Sequence, residues 1–257
     1  MKTVSAKEKT VWKKAALLPA LLCVTATVAG CTALPDDQKT AATDPYENAN
    51  RKVFAFNMAV DDYALEPVAK AYKQAAPEPV QQGIQNYVSW TGMPSTAVNS
   101  GLQGKFENAA LASLTFLVNG LTLGFVDLME AEDRPEQEDF GQTLASSGIG
   151  EGPYLMVPFL GSHTARSLSG RAVDMIINPL GAFNADAVET AQIATPAVSA
   201  VSFRAAYFDT INDVKYNSLD PYARTRSAYY QQRADLLRDN ITEQGDDLDE
   251  FETFFSE

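Results

Sequence analysis

The chain is 257 residues long, with 33 acids against 20 Lys and Arg, one His, and a formal net charge of −13. That balance excludes nucleic acid as a partner, because phosphate backbones are held by clustered Lys and Arg; it also excludes adsorption to anionic lipid through a polybasic face. Two cysteines provide no disulfide framework, so an exported domain must rely on its core.

The first thirty residues read as an address label. Lys2, Lys7, Lys9, Lys13 and Lys14 give a cationic start, and residues 15–29 carry no charge. That stretch is shorter than the about 20 apolar residues a bilayer span needs. A basic start, a short apolar core and small residues before a cut site mark an export signal. Val28-Ala29-Gly30-Cys31 resembles the bacterial lipoprotein lipobox. The resemblance implies cleavage before Cys31, with diacylglyceryl on its sulfur and an N-acyl chain on the new amino terminus. An ordinary secretory signal with an incidental Cys, or an uncleaved anchor, is the alternative. Several acyl chains hold a protein stably where one does so only marginally. Asp after the Cys implies retention at the inner membrane in that pattern; Thr32 stands here, which implies the outer membrane, periplasmic face. Without residues 1–30, five Lys and Glu8, the remainder lies near −17. Lipid contact beyond the anchor therefore requires apolar side chains.

Residues 31–43 are small, polar and Pro-containing, and read as a lipidated tether reaching roughly 20 Å root-mean-square. The body, residues 44–240, reads as a series of helices. Asp44-Pro45-Tyr46-Glu47 offers an N-cap Asp, a Pro at N1 and an acid at N3. Val53, Phe54, Phe56, Met58 and Val60 follow, an aromatic set suited to facing membrane or packing. Pro77 and Pro79 break the chain, and Val80, Ile84, Tyr87 and Val88 then form one helical stripe. Residues 105–118 repeat the pattern. Leu168, Ala172, Met175 and Ile176 make another stripe, stopped by Pro179. Thr195-Pro196 and Asp220-Pro221 are two more cap-plus-Pro starts. The fold class is mainly α.

Residues 140–170 depart from this, holding six of the fifteen glycines. Residues 140–145 and 154–160 flank a Gly-rich run, 146–152, and read as the two arms of a loose hairpin, buried or lipid-facing. Gly148, Gly150 and Gly152 at alternate positions make that turn movable, unless each only serves a static turn with positive φ. Residues 239–257 carry eight acids and no base. That tail reads as a solvated end or as an acidic docking segment.

Catalytic groups are scarce. The one histidine, His163, follows Ser162, and no G-x-S-x-G elbow is present. One His and no free Cys leave little for a metal such as zinc or copper. Gly101-Leu102-Gln103-Gly104-Lys105 lacks the Walker spacing and the following Ser or Thr. Asp61-Asp62 and Asp246-Asp247 read as solvated charge. An enzyme is not expected, and neither cofactor nor metal is implied.

Six motifs in order carry a more specific signal. They are Asp44-Pro45-Tyr46-Glu47-Asn48-Ala49-Asn50-Arg51 with Phe54 and Phe56-Asn57, Asn99-Ser100-Gly101-Leu102-Gln103-Gly104, and Asn119 with Gly124-Phe125-Val126-Asp127. Then come Glu138-Asp139-Phe140-Gly141-Gln142-Thr143, Gly148-Ile149-Gly150-Glu151-Gly152-Pro153-Tyr154-Leu155 with Pro158, and Ser218-Leu219-Asp220-Pro221-Tyr222 with Gln232-Arg233. The chain resembles the VacJ/MlaA outer-membrane lipoproteins from residue 44 to about 238. The resemblance implies a ring of amphipathic helices in the inner leaflet of the outer membrane, around a central amphipathic channel. Through it, stray glycerophospholipids of the outer leaflet would pass to a soluble periplasmic lipid carrier, maintaining lipid asymmetry. An outer-membrane porin trimer stands beside the channel in this family, and an inner-membrane transporter supplies the ATP-driven step. By the same resemblance Gly148, Gly150 and Gly152 are the hairpin hinge, with Tyr154, Leu155 and Pro158 in its return arm. Residues 184–195 lack Lys and Arg, which leaves Lys105, Arg166, Arg171 and Arg204 as candidate headgroup contacts. A structural lipoprotein scaffolding a porin or envelope complex is the alternative function, and a lipid hydrolase the remotest.

Overall fold

A computed structural model describes residues 44–130, 133–177 and 186–255, with side chains described at 44–130, 133–177 and 195–238. The signal segment, Cys31 and the tether lie outside the described residues. What is described is mainly helical, in the order α1 Glu47–Val60, a π-helical turn Asp61–Leu65, α2 Glu66–Ala75, α3 Glu78–Gln103 and α4 Phe106–Gly120. Next come α5 Phe140–Ser146, strands β1 Tyr154–Val157 and β2 Gly161–Thr164, α6 Ala165–Ile177, α7 Asp186–Ala206, α8 Phe208–Asn217 and α9 Pro221–Phe255.

Local chemistry sets these boundaries. Asp220 begins α9 as expected, its carboxylate accepting the Ala223 N–H at 3.1 Å. Helix α1 starts later than expected: the Asp44 carboxylate accepts from Tyr46 N, and Glu47 pairs with Arg51 instead of reaching back. Pro196 is not a start either, because it lies inside α7, which is already helical from Asp186. A proline there removes one backbone bond and leaves the helix intact around it. Helix α9 continues through Phe255, with no break at 240.

Residues 140–145 are not a hairpin arm. They are helix α5, because Asp139 and Gln142 close a reciprocal capping box: Gln142 N–H donates to Asp139 Oδ1 at 2.8 Å and Asp139 N–H to Gln142 Oε1 at 2.9 Å. Gly148, at φ +80°, ends that helix, with Gly148 N bonding Ala145 O and Ile149 N bonding Leu144 O, both at 2.9 Å. This is a Schellman closure. Helices α5 and α6 then meet backbone to backbone, since a Cβ on Gly170 would stand 2.3 Å from Gly141 N.

The hairpin is one element further on. Strand β1 pairs antiparallel with β2, Tyr154 opposite Thr164 and Val157 opposite Gly161, around a turn of Pro158, Phe159 and Leu160. Tyr154 and Leu155 are thus on its outgoing arm, Pro158 is at its turn, and the return arm is the polar stretch Gly161–Thr164. Four residues with no aliphatic side chain carry no strand signal in sequence.

Helix α1 closes the free edge of β1. Asn50 donates to Tyr154 O at 3.1 Å and accepts from Met156 N at 2.9 Å; two turns along, Asn57 donates to Val157 O at 3.0 Å and accepts from Phe159 N at 2.9 Å. Two amide side chains thereby satisfy strand groups that an edge would leave open. Beneath lies a small aromatic core of Tyr154, Met156 and Tyr222, with Val53, Phe54, Tyr229 and Tyr230 packed on it.

Candidate functional site

A cavity of about 1150 Å³ lies among the helices. Its walls come from α1, α3, α5, the hairpin and α6 to α9. Phe54 and Met58 of α1, Phe203 of α7, and Ile211 and Val214 of α8 face it from one set of elements. Ser162 and His163 of the hairpin, Ser167, Arg171 and Asp174 of α6, and Tyr229, Gln232 and Arg233 of α9 face it from another. The lining is amphipathic.

The body around it has reversed polarity. Among the described residues, the buried apolar side chains number seven, and the buried polar or charged ones sixteen. Large apolar side chains lie outside instead, densest from the end of α3 past α4, where Leu102, Phe106, Leu117, Leu121 and Leu123 are each at least 60% exposed. An ordinary water-soluble domain hides such groups, and exposed apolar patches of this kind mark membrane or protein contact. Among the described residues no helix is long and apolar enough to cross a membrane.

Motifs distant in sequence meet in the fold, and Glu138, Asp139 and Arg233 among them line the cavity. Thr143 donates its hydroxyl proton to Asn99 Oδ1 at 3.0 Å, and Gln103 donates to Glu138 at 3.0 Å. Asp139 holds Arg233 of α9 at 2.5 Å, and Arg51 of α1 grips Asp220 at 2.6 and 3.1 Å. That grip holds the Asp220 carboxyl down at about 2. Five of the six ordered motifs are thereby linked, Asn50 adding a bond to Tyr154 O, while Asn119 bonds Asp127 within its own motif.

Asp61 departs from the expectation of solvated charge. It is buried, accepting from Arg204 at 2.8 and 3.2 Å and from Lys215 at 2.7 Å. Burial alone would raise its carboxyl, but the hydrogen bonds from Arg204 and Lys215 prevail and hold it below the usual range. Asp62 and Glu66 also contact the Lys215 ammonium. The three carboxylates converge as a cation site would, and Lys215 fills that role. Nothing in the spacing of Asp61, Arg204 and Lys215 reveals this cluster; only folding joins positions some 140 residues apart.

The remaining sequence candidates separate clearly. Phe54 lines the cavity and stacks edge-on against Tyr222, whereas Phe56 is half-exposed and packs edge-on with Phe159 of the hairpin turn. Gly152 takes φ +72°, and a Cβ there would meet Ala165; Gly150 is not among the positive-φ glycines. Tyr154 is a buried core residue, its hydroxyl 2.8 Å from Ser162 Oγ. His163 is a buried strand residue, not a loop one, with Nδ1 3.3 Å from Gly161 O. Ser162 and His163 thus have separate partners and form no nucleophile-base pair. Lys105 is locked on Glu138 at 2.9 Å, and Arg166 is buried on Ile149 O at 2.8 Å.

The family model for the MlaA lipoprotein matches residues 42–236. The chain belongs to the MlaA lipoprotein family. Among its relatives, an uncharacterized protein of Rickettsia bellii is 36% identical over 195 residues, covering 74% of this chain and 75% of the relative. The intermembrane phospholipid transport system lipoprotein MlaA of Escherichia coli is 31% identical over 230 residues, covering 83% and 86%. A solved structure, described as the structural basis for maintenance of bacterial outer membrane lipid asymmetry, aligns with TM-score 0.65 and 32% identity, over 74% of this chain and 96% of that one. The fold is therefore shared across nearly the whole of that protein.

Proposed function

We propose that this chain is an outer-membrane lipoprotein that moves mislocalised glycerophospholipids out of the outer leaflet, through its cavity, to a soluble periplasmic carrier. Acyl chains on Cys31 anchor it to the periplasmic face. Its helices form a ring sitting in the inner leaflet beside a porin trimer, and Gly150, in the run that leads into the hairpin, gives that region its freedom to gate. The observation that carries this reading is the reversed polarity: an amphipathic cavity inside, apolar side chains outside. A polar headgroup entering such a cavity keeps hydrogen-bond partners, and so avoids the several kcal/mol an unpaired polar group costs in hydrocarbon. A passage needs neither nucleophile nor base, which suits the separate partners of Ser162 and His163.

Deleting the gene is expected to raise amine-labelled phospholipid on the surface of intact cells, and the wild-type gene to restore it. Cys31→Ala is expected to fail in restoring it and to take up no palmitate. The exposed apolar surface also suits a scaffold bound to a porin. Unchanged surface phospholipid after deletion, with porin assembly altered, would favour that second reading.

A further inference from the structure

Four basic residues are candidates for contact with a lipid headgroup, and their surroundings sort them. Lys105 is neutralised by Glu138, Arg166 is buried on a backbone carbonyl, and Arg204 is enclosed by Asp61 and Glu66 away from the cavity lining. Arg171 is exposed and lines the cavity. Among the cations of that lining, Lys215 is held by Asp61, Asp62 and Glu66, and Arg233 by Asp139. Arg171 has no ion pair among the described residues. The acid one turn along its own helix, Asp174, is occupied: it accepts from Ser95 Oγ at 2.6 Å, Asn99 Nδ2 at 2.8 Å and Phe140 N at 3.1 Å.

An uncompensated guanidinium facing an internal cavity is unexpected in a body this acidic. We propose that Arg171 is the phosphate contact of the cavity, holding the phosphodiester of a glycerophospholipid. This rests on reading the cavity as a lipid passage, and it names the group of the lipid that is gripped. A guanidinium presents a planar fork of N–H donors that matches two phosphate oxygens, which a hydrated ammonium does not. The lining divides as such a ligand needs. Ser167 and Tyr229, their hydroxyls 2.8 Å apart, join Arg171 on the α6 and α9 side, while Phe54, Phe203 and Ile211 offer apolar surface from α1, α7 and α8. Burial lowers the pKa of His163, and the nearby positive charges of Arg171 and Arg233 lower it further, so this wall carries its positive charge on the arginines. An amphiphile satisfies both walls at once, whereas free phosphate satisfies only one.

The test uses the full-length acylated protein extracted in detergent, with bound glycerophospholipid per protein counted by mass spectrometry. Arg171→Gln is expected to lower that occupancy about tenfold, equivalent to about 1.4 kcal/mol, with helix content and melting temperature unchanged. Arg171→Lys, which keeps the charge but loses the fork, is expected to fall between. Inorganic phosphate titrated into the delipidated wild type is expected to show no saturable heat. Equal lipid in wild type and Arg171→Gln would overturn the role of Arg171 while leaving the passage reading standing. A wild type that carries no lipid yet binds inorganic phosphate through Arg171 would overturn both, leaving a free-anion site.

Discussion

At the residue scale, the most consequential contact is Asp61 between Arg204 and Lys215. All three side chains are at most 7% exposed, so removing the carboxylate takes the most buried acid from two buried cations, leaving Arg204 with Glu66 and Lys215 with Asp62 and Glu66. Breaking a buried pair from one side costs about 3–5 kcal/mol. Asp61→Asn is therefore expected to lower the melting temperature by roughly 6–20 °C, from about 2–4 °C per kcal/mol at this size, in a calorimetric scan. Asp62→Asn, removing a half-exposed acid of the same cluster, is expected to cost under about 1 kcal/mol; equal losses would mean burial is not the cause. Asp220 gives the pH dependence. Its folded carboxyl lies at about 2 against an ordinary 3.8, chiefly because Arg51 hydrogen-bonds to it. A lowered folded value means stability is complete above the ordinary value and is lost as pH falls from about 4 to about 2. Both side chains are 41% exposed, so solvent screening keeps the effect small. Asp220→Asn is expected to flatten, slightly but measurably, the fall in urea midpoint across that window. An unchanged slope would contradict the pair.

At the element scale, the glycine run and the hairpin are separate devices. Gly148 closes α5 in the left-handed region, and Gly152 lets the chain pass close to Ala165. Both have structural reasons to be glycine, so their substitution confounds stability with motion. Gly150 lacks a positive φ, so a side chain there meets no left-handed strain and makes the better probe. Gly150→Ala is expected to hold the melting temperature within about 2 °C, an effect of under about 1 kcal/mol, while raising surface-labelled phospholipid in cells. If cells carrying it clear lipid normally, the hinge has no part in gating. The hairpin itself is tied along its edge by Asn50 and Asn57, so movement of its strands requires α1 to release them.

At the scale of the whole molecule, the fold is arranged around a cavity with its apolar side chains turned outward. Leu117 and Leu121 stand 68% and 82% exposed on the face running past α4. Burying a leucine in hydrocarbon yields about 1.5–3 kcal/mol, so two acids in their place remove a large part of any membrane affinity of that face. The double substitution Leu117→Glu with Leu121→Glu, in a Cys31→Ala background lacking acyl chains, is expected to abolish flotation with phosphatidylcholine vesicles while preserving helix content. Undiminished flotation would place the lipid-facing surface elsewhere.

The sequence by itself determined the helical class, the Asp220-Pro221 start of α9 and the ordered motifs that carry the family. Those signals are local: a cap, a stripe and a short motif each depend on residues within a few positions. It misplaced the hairpin, because Asp139 and Gln142 cap a helix over apolar residues that resemble a strand, while Gly161–Thr164 become one by pairing. It also read Asp61 as solvated, since burial depends on what Arg204 and Lys215 do after folding. Only the tertiary structure decided which of the cavity-lining basic side chains carries no ion pair among the described residues. Net charge is additive along a chain, but neutralisation requires two atoms within about 4 Å, and distance is set by packing.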